Sequence, residues 1–127
     1  MDCCVAIYLI EGELGHRSKI DKVIDALDVE IFASDLVRME TFVGPLRKQD
    51  AALLQAYQNL FQRLPCIGFE PATFDHAAQI RATYNLRTPD ALHVAAAMAA
   101  ECDEFWTNDR NLAAKDLPIR IRLFPAP

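Results

Sequence analysis

The sequence predicts an α/β fold in which helices pack on a mainly parallel sheet. Three observations carry that expectation. Short apolar, β-prone runs (EIFAS at 30–34, CIGF at 66–69, EFWT at 104–107) alternate with longer segments at helical spacing. Only four glycines and seven prolines punctuate the chain, and no repeat or low-complexity tract interrupts it. One segment, ALHVAAAMAA from Ala91, is apolar on nearly every side, which a helix tolerates only when it is enclosed.

Each element follows from its local chemistry. SKIDKVIDAL places Ile20, Val23, Ile24 and Leu27 at helix spacing. After the strand EIFAS, Ser34 is a suitable N-cap for a helix that Gly44-Pro45 is expected to end. DAALLQAYQNLFQRL aligns Leu53, Tyr57, Leu60 and Leu64 on one face, with Leu54 and Phe61 beside them. CIGF reads as a second short strand, and a helix follows from about Ala72 to Tyr84. Thr88 is the expected N-cap of the enclosed helix, Pro89 its first residue, and Asp90 an acid in its first turn. EFWT is a strand, NDRN a turn and NLAAKD a short helix. IRIRLF alternates Ile119, Ile121 and Leu123 with Arg120 and Arg122, a half-exposed strand whose arginines guard a sheet edge.

Length and composition narrow the function. The 127 residues suit one domain over 1–127, and 52% apolar with 24% charged residues is globular usage. With 18 acids against 13 bases the net charge is −5, which disfavours a protein held to nucleic acid by bulk electrostatics. A local basic rim around metal ions remains compatible with that balance. Cys3, Cys4, Cys66 and Cys102 form no C-x-x-C pair and no zinc-spaced cluster. The chain shows no signal-peptide pattern and no apolar run long enough to span a bilayer, so reduced thiols and a cytoplasmic location are expected.

Four acids are expected near the carboxyl edge of the sheet, where ligands bind in such folds. Asp2 stands where a first strand should end, Glu40 two turns into the helix after EIFAS, Asp90 at the start of the enclosed helix, and Asp109 just after EFWT. Each alone has a plain explanation: a terminal charge, a solvated helix acid, a dipole partner, a turn cap. Together, converging carboxylates repel one another unless a cation joins them, and hard oxygen ligands suit Mg²⁺ or Mn²⁺. The natural chemistry of such a centre is phosphodiester hydrolysis.

The stretches MDCCVAIYLIEG, SDLVRMETFVGPLR, LRTPDALHVAAA and FWTNDRNLA resemble, in order, the four acidic motifs of the PIN-domain family, especially its VapC-like toxins. The resemblance implies a three-layer α/β/α sandwich with about five parallel strands and a Mg²⁺-dependent endoribonuclease. It also implies an RNA substrate, a small antitoxin partner and a homodimer. By motif position, Asp2 and Asp90 would hold the principal ion, with Glu40 and Asp109 completing the shell through waters. Thr107 and Asn108 would shape the last loop. Two departures stand out: Cys3 occupies a position often Ser or Thr in the family, and Asn111 replaces an acid some relatives carry, which argues against a strong second metal. A central strand needs about five residues, yet only Met1 precedes Asp2. The run after Asp2 is therefore expected to be the first helix, the first strand to be truncated, and translation to begin upstream of Met1.

Other charged residues are weighed with these. Arg87 and Arg110 flank the acids and are candidates for phosphate contact, with Arg38, Arg47 and Lys48 extending the rim. His93, three residues after Asp90, reads as a hydrogen-bonded, partly buried histidine; Phe105 and Trp106 read as core. The helix around Leu53–Leu64 could supply a dimer or antitoxin surface. A receiver-like signalling domain is the main rival. Asp35 could serve there as phospho-acceptor, but Lys115 precedes the last strand and no lysine lies near its end. A PIN-like binding protein with an impaired site is the second rival, and cleavage of DNA flaps is disfavoured by the small size.

Overall fold

A computed structural model describes residues 4–8 (as backbone), 30–107 and 109–123. Five strands form one parallel sheet in the order β3-β2-β1-β4-β5: β1 Cys4–Tyr8, β2 Glu30–Ser34, β3 Cys66–Ile67, β4 Glu104–Thr107 and β5 Arg120–Leu123. The described helices are α1 Asp35–Lys48, α2 Ala51–Arg63, α3 Pro71–Tyr84, α4 Thr88–Ala99 and α5 Arg110–Ala113. They complete the expected three-layer α/β/α arrangement. The amphipathic segment expected at 18–27 lies outside the described residues.

The first strand requires a correction. The run after Asp2 is not a helix: Cys4–Tyr8 is itself the central strand, and the sheet is not cut short there. Val5 and Ala6 pair with Ile31 and Phe32 on one side and with Glu104 and Phe105 on the other. A strand in that position is covered on both faces, so it reads as a continuous apolar run without alternation, and a short apolar run does not distinguish strand from helix. The carboxyl end of β1, level with Thr107, is therefore Tyr8. Asp2 precedes the strand and lies outside the described residues.

The strand order reverses between β1 and β4, and in parallel sheets the crevice at that reversal, beyond the carboxyl ends, is where ligands are held. Local chemistry directs the helices to it. Ser34, extended at φ −84° and ψ 159°, accepts the Val37 N–H and starts α1 as expected. The helix does not stop at Gly44-Pro45. Pro45 lies inside it, buried, and α1 continues to Gln49, left-handed at φ 54°. An interior proline costs about 3 kcal/mol, here offset by its burial and by the Asp50 N–H that its carbonyl accepts at 2.9 Å. Asp50 in turn caps α2 through the Leu53 N–H. Phe42 of α1 meets Phe61 of α2 edge to face, with centroids 5.6 Å apart.

Pro71 opens α3 behind a reciprocal capping box of Glu70 and Thr73, and left-handed Asn85 ends it. Helix α4 begins one residue earlier than expected. Thr88 is its first helical residue, Pro89 follows, and Arg87 takes the cap position without a side-chain cap bond. Ala91, Val94, Ala95, Ala96 and Ala97 of α4 are buried with Phe105 and Leu112 in the core. Among the described residues no helix is long and apolar enough to cross a membrane.

Candidate active site

Helix α4 runs into β4 at the amino end of that strand, so its own start lies at the opposite, carboxyl edge. This carries Asp90 to the rim, 5% exposed, in the first turn of the helix. Beyond the end of β4, Asp109 reaches the same place. Thr107, fully buried, accepts the Asp109 N–H at 3.1 Å on its hydroxyl and fixes the turn out of the strand. Asp109 Oδ1 accepts the N–H groups of Asn111 and Leu112 at 2.9 and 3.3 Å, capping α5. Its cap role and its site role thus coexist on separate oxygens.

One guanidinium joins the two acids. Arg87 donates from Nε to Asp90 Oδ2 at 3.1 Å and from its terminal nitrogen to Oδ1 at 3.4 Å, and lies 3.9 Å from Asp109 Oδ2. The carboxylates are enclosed, with side chains 7% and 12% exposed, whereas Arg87 is 70% exposed. Two desolvated anions on one solvated cation form a centre of negative charge.

Glu40 is held from another direction. Its Oε1 accepts from His93 Nε2 at 2.8 Å, and His93 lies one turn after Asp90 on α4. The helix glutamate is thereby tied to the helix that carries the third acid. His93 is buried and hydrogen-bonded, as its place in an apolar helix suggested. Its partners were not legible, because 53 residues separate it from Glu40.

The donor set fits a hard divalent ion. Asp90 and Asp109 offer oxygen only, and Mg²⁺ commonly binds through one or two carboxylates while keeping several waters. Among the described residues no three His, Cys, Asp or Glu side chains form a metal-binding group. Arg110, the first residue of α5, is exposed beside Asp109; Asn108 lies outside the described residues. Phe105 and Trp106 are core, as expected.

Two features escaped the sequence reading. Glu104, at the amino end of β4, is buried and accepts from Trp106 Nε1 at 2.9 Å and from Arg122 at 3.0 Å, with Arg120 3.8 Å away. Arg120 and Arg122 therefore serve a buried acid as well as an edge. Cys66 is also distinctive: burial, then the Asp35 carboxylate, push its thiol above the usual range against the opposing pull of Arg38, so it is a poor nucleophile.

The family model of the PIN domain matches residues 1–117. Among solved structures, VapBC2 from Rickettsia felis, bound to a promoter DNA fragment, is similar at a TM-score of 0.67 and 16% identity, covering 93% of this chain and 98% of that one. A toxin–antitoxin complex from Klebsiella pneumoniae gives a TM-score of 0.66 at 16% identity, covering 90% and 92%. PAE2754 from Pyrobaculum aerophilum gives 0.68 at 17% identity, covering 92% and 91%. No curated protein sequence matches the chain. With a match across nearly its whole length, and with the sheet order and acidic rim described above, the chain belongs to the PIN-domain family.

Proposed function

We propose that this protein is a divalent-metal-dependent endoribonuclease, the toxin of a toxin–antitoxin pair, acting in the cytoplasm as a homodimer. The observation that carries the reading is the pair of enclosed carboxylates, Asp90 and Asp109, sharing one exposed guanidinium at the carboxyl edge of the sheet. Similarity to toxin–antitoxin complexes supports a small antitoxin partner.

Asp90 and Asp109 would hold the ion, Mg²⁺ or Mn²⁺, with Glu40 joining through waters; Asp2, expected from its motif to end the first strand, precedes that strand instead and is not assigned to the ion. When bound, the ion supplies charge neutralisation at the scissile phosphate and a more acidic water. The protein's own groups do the rest. Thr107 fixes the loop that presents Asp109. Glu40 orients a water and accepts its proton through a carboxylate oxygen. Arg87 and Arg110, both exposed beside the acids, would bind RNA phosphates.

The test is metal-dependent cleavage of RNA by the intact protein and by Asp90→Asn. Cleavage with Mg²⁺ or Mn²⁺ that stops on chelation and is lost in the variant is expected. Equal activity in both proteins would refute the site, and DNA cleavage without RNA cleavage would refute the substrate class. Sequencing the cut ends would identify the RNA.

A further inference from the structure

Helix α4 encloses one ring among its alanines: His93, 2% exposed. An imidazole is buried at a cost unless its nitrogens find partners. Nε2 meets Glu40 Oε1 at 2.8 Å, and Nδ1 makes a longer contact, 3.5 Å, with Ser34 Oγ. Glu40 and Ser34 belong to another part of the chain, in the second turn of α1 and at the end of β2. The ring therefore bridges the two helices that carry Asp90 and Glu40.

The hydrogen-bond directions are constrained. Ser34 Oγ already accepts the Val37 N–H at 3.1 Å, and its own proton is then available to Nδ1. An ionised carboxylate only accepts, so the ring proton belongs on Nε2. With that tautomer, Nδ1 is free to accept the Ser34 hydroxyl proton across the longer contact. Glu40 is the more accessible partner, with 33% of its side chain exposed against 1% for His93.

Resting on the nuclease reading, the geometry points to His93 as a positioning residue for the reaction. Without touching RNA, it fixes Oε1 of Glu40 so that the other carboxylate oxygen accepts from the attacking water. This differs from a purely structural role, in which the ring only fills space between α1 and α4. Loss of a hydrogen-bond partner behind a site carboxylate typically costs about 10–100-fold in activity.

The experiment compares His93→Gln, His93→Asn and His93→Leu in the full chain. A glutamine amide nitrogen reaches roughly where Nε2 stands, whereas asparagine reaches only the Nδ1 position. The expected result is that kcat for RNA falls about 10–100-fold in His93→Asn and His93→Leu with KM nearly unchanged, and that His93→Gln recovers most of it. If kcat simply follows thermal stability across the variants, or glutamine rescues no better than asparagine, the inference is overturned. Should His93→Leu fail to fold, the glutamine–asparagine pair decides alone.

A second readout needs no cleavage. The ¹⁵N spectrum of the His93 ring should show the proton on Nε2 and a shift of that resonance in Glu40→Gln. A proton on Nδ1 with none on Nε2 overturns the inference even in an active enzyme. If the wild type cuts no RNA yet keeps the Nε2 proton, the nuclease reading falls while the hold of His93 on Glu40 stands.

Discussion

The two ends of β4 bury acids in opposite ways. At the amino end, Glu104 is met by the Trp106 ring N–H, by Arg122 at 3.0 Å and by Arg120 at 3.8 Å, and Arg122 also stacks over the Trp106 ring. At the carboxyl end, Asp90 and Asp109 share the guanidinium of one exposed arginine. The first arrangement divides several donors over one carboxylate; the second divides one cation over two. A carboxylate surrounded by its own donors is a finished structural contact, whereas two enclosed carboxylates that share one exposed guanidinium leave an excess of negative charge at the edge of the sheet. The difference separates framework from site within a single strand.

Substitution at each end should break the comparison in its own way. The largest effect is expected from Asp90→Asn: cleavage should fall on the order of 100-fold or more, exceeding the loss typical of an outer-shell partner, with thermal stability near that of wild type. Glu104→Ala should do the reverse. Leaving the enclosed Trp106 N–H without its acceptor should cost about 1–3 kcal/mol and several degrees of Tm, while kcat per folded molecule stays the same. If Glu104→Ala lost activity without losing stability, the division of the strand into framework and site would be wrong.

Asp2→Asn bears on where the first strand ends. With Tyr8 level with Thr107, cleavage in this variant is expected to fall less than in Asp90→Asn. Equal loss would instead place the strand end at Asp2. The smallest effect belongs to Arg87→Ala. Removing a cation that competes for the two aspartates should tighten Mn²⁺ binding by about fivefold, the scale of an exposed ion pair, as read by calorimetry. The KM for RNA should rise in the same variant as a phosphate contact is lost. Weaker Mn²⁺ binding in Arg87→Ala would make the arginine a support of the site rather than a stand-in for its ion.

What the sequence revealed follows the range of the interactions involved. Helix starts set by neighbouring residues, such as Ser34 with Val37 and Asp50 with Leu53, were legible because cap and helix adjoin in the chain. The enclosed helix α4 announced itself by composition. The run Val5–Tyr8 did not, since four apolar residues suit a buried strand and a helix equally, and only its neighbours Ile31 and Phe105 in the sheet resolve it. Gly44-Pro45 misled for a related reason: a local stop signal gave way to tertiary burial of Pro45. In the site, Asp90 and Asp109 could be read from their motifs. The Glu40–His93 bond could not, although a lone histidine one turn from an acid in an alanine-rich helix was a usable signal. Glu104 left none, because nothing in EFWT shows that its acid would be buried beneath two arginines.

The place of β1 in the sheet also bears on how the protein is made. Val5 and its partner Glu104 stand far apart in the sequence, so Val5 is synthesised long before Glu104. The central strand can pair on one side with β2 early, but its other side waits until β4 has been synthesised. Such distant pairing is slow to close and leaves an apolar edge exposed meanwhile. Asp109, just beyond β4, arrives with the same late step. The acid pair is thus brought together only once β4 is in place, later than the pairing of β1 with β2.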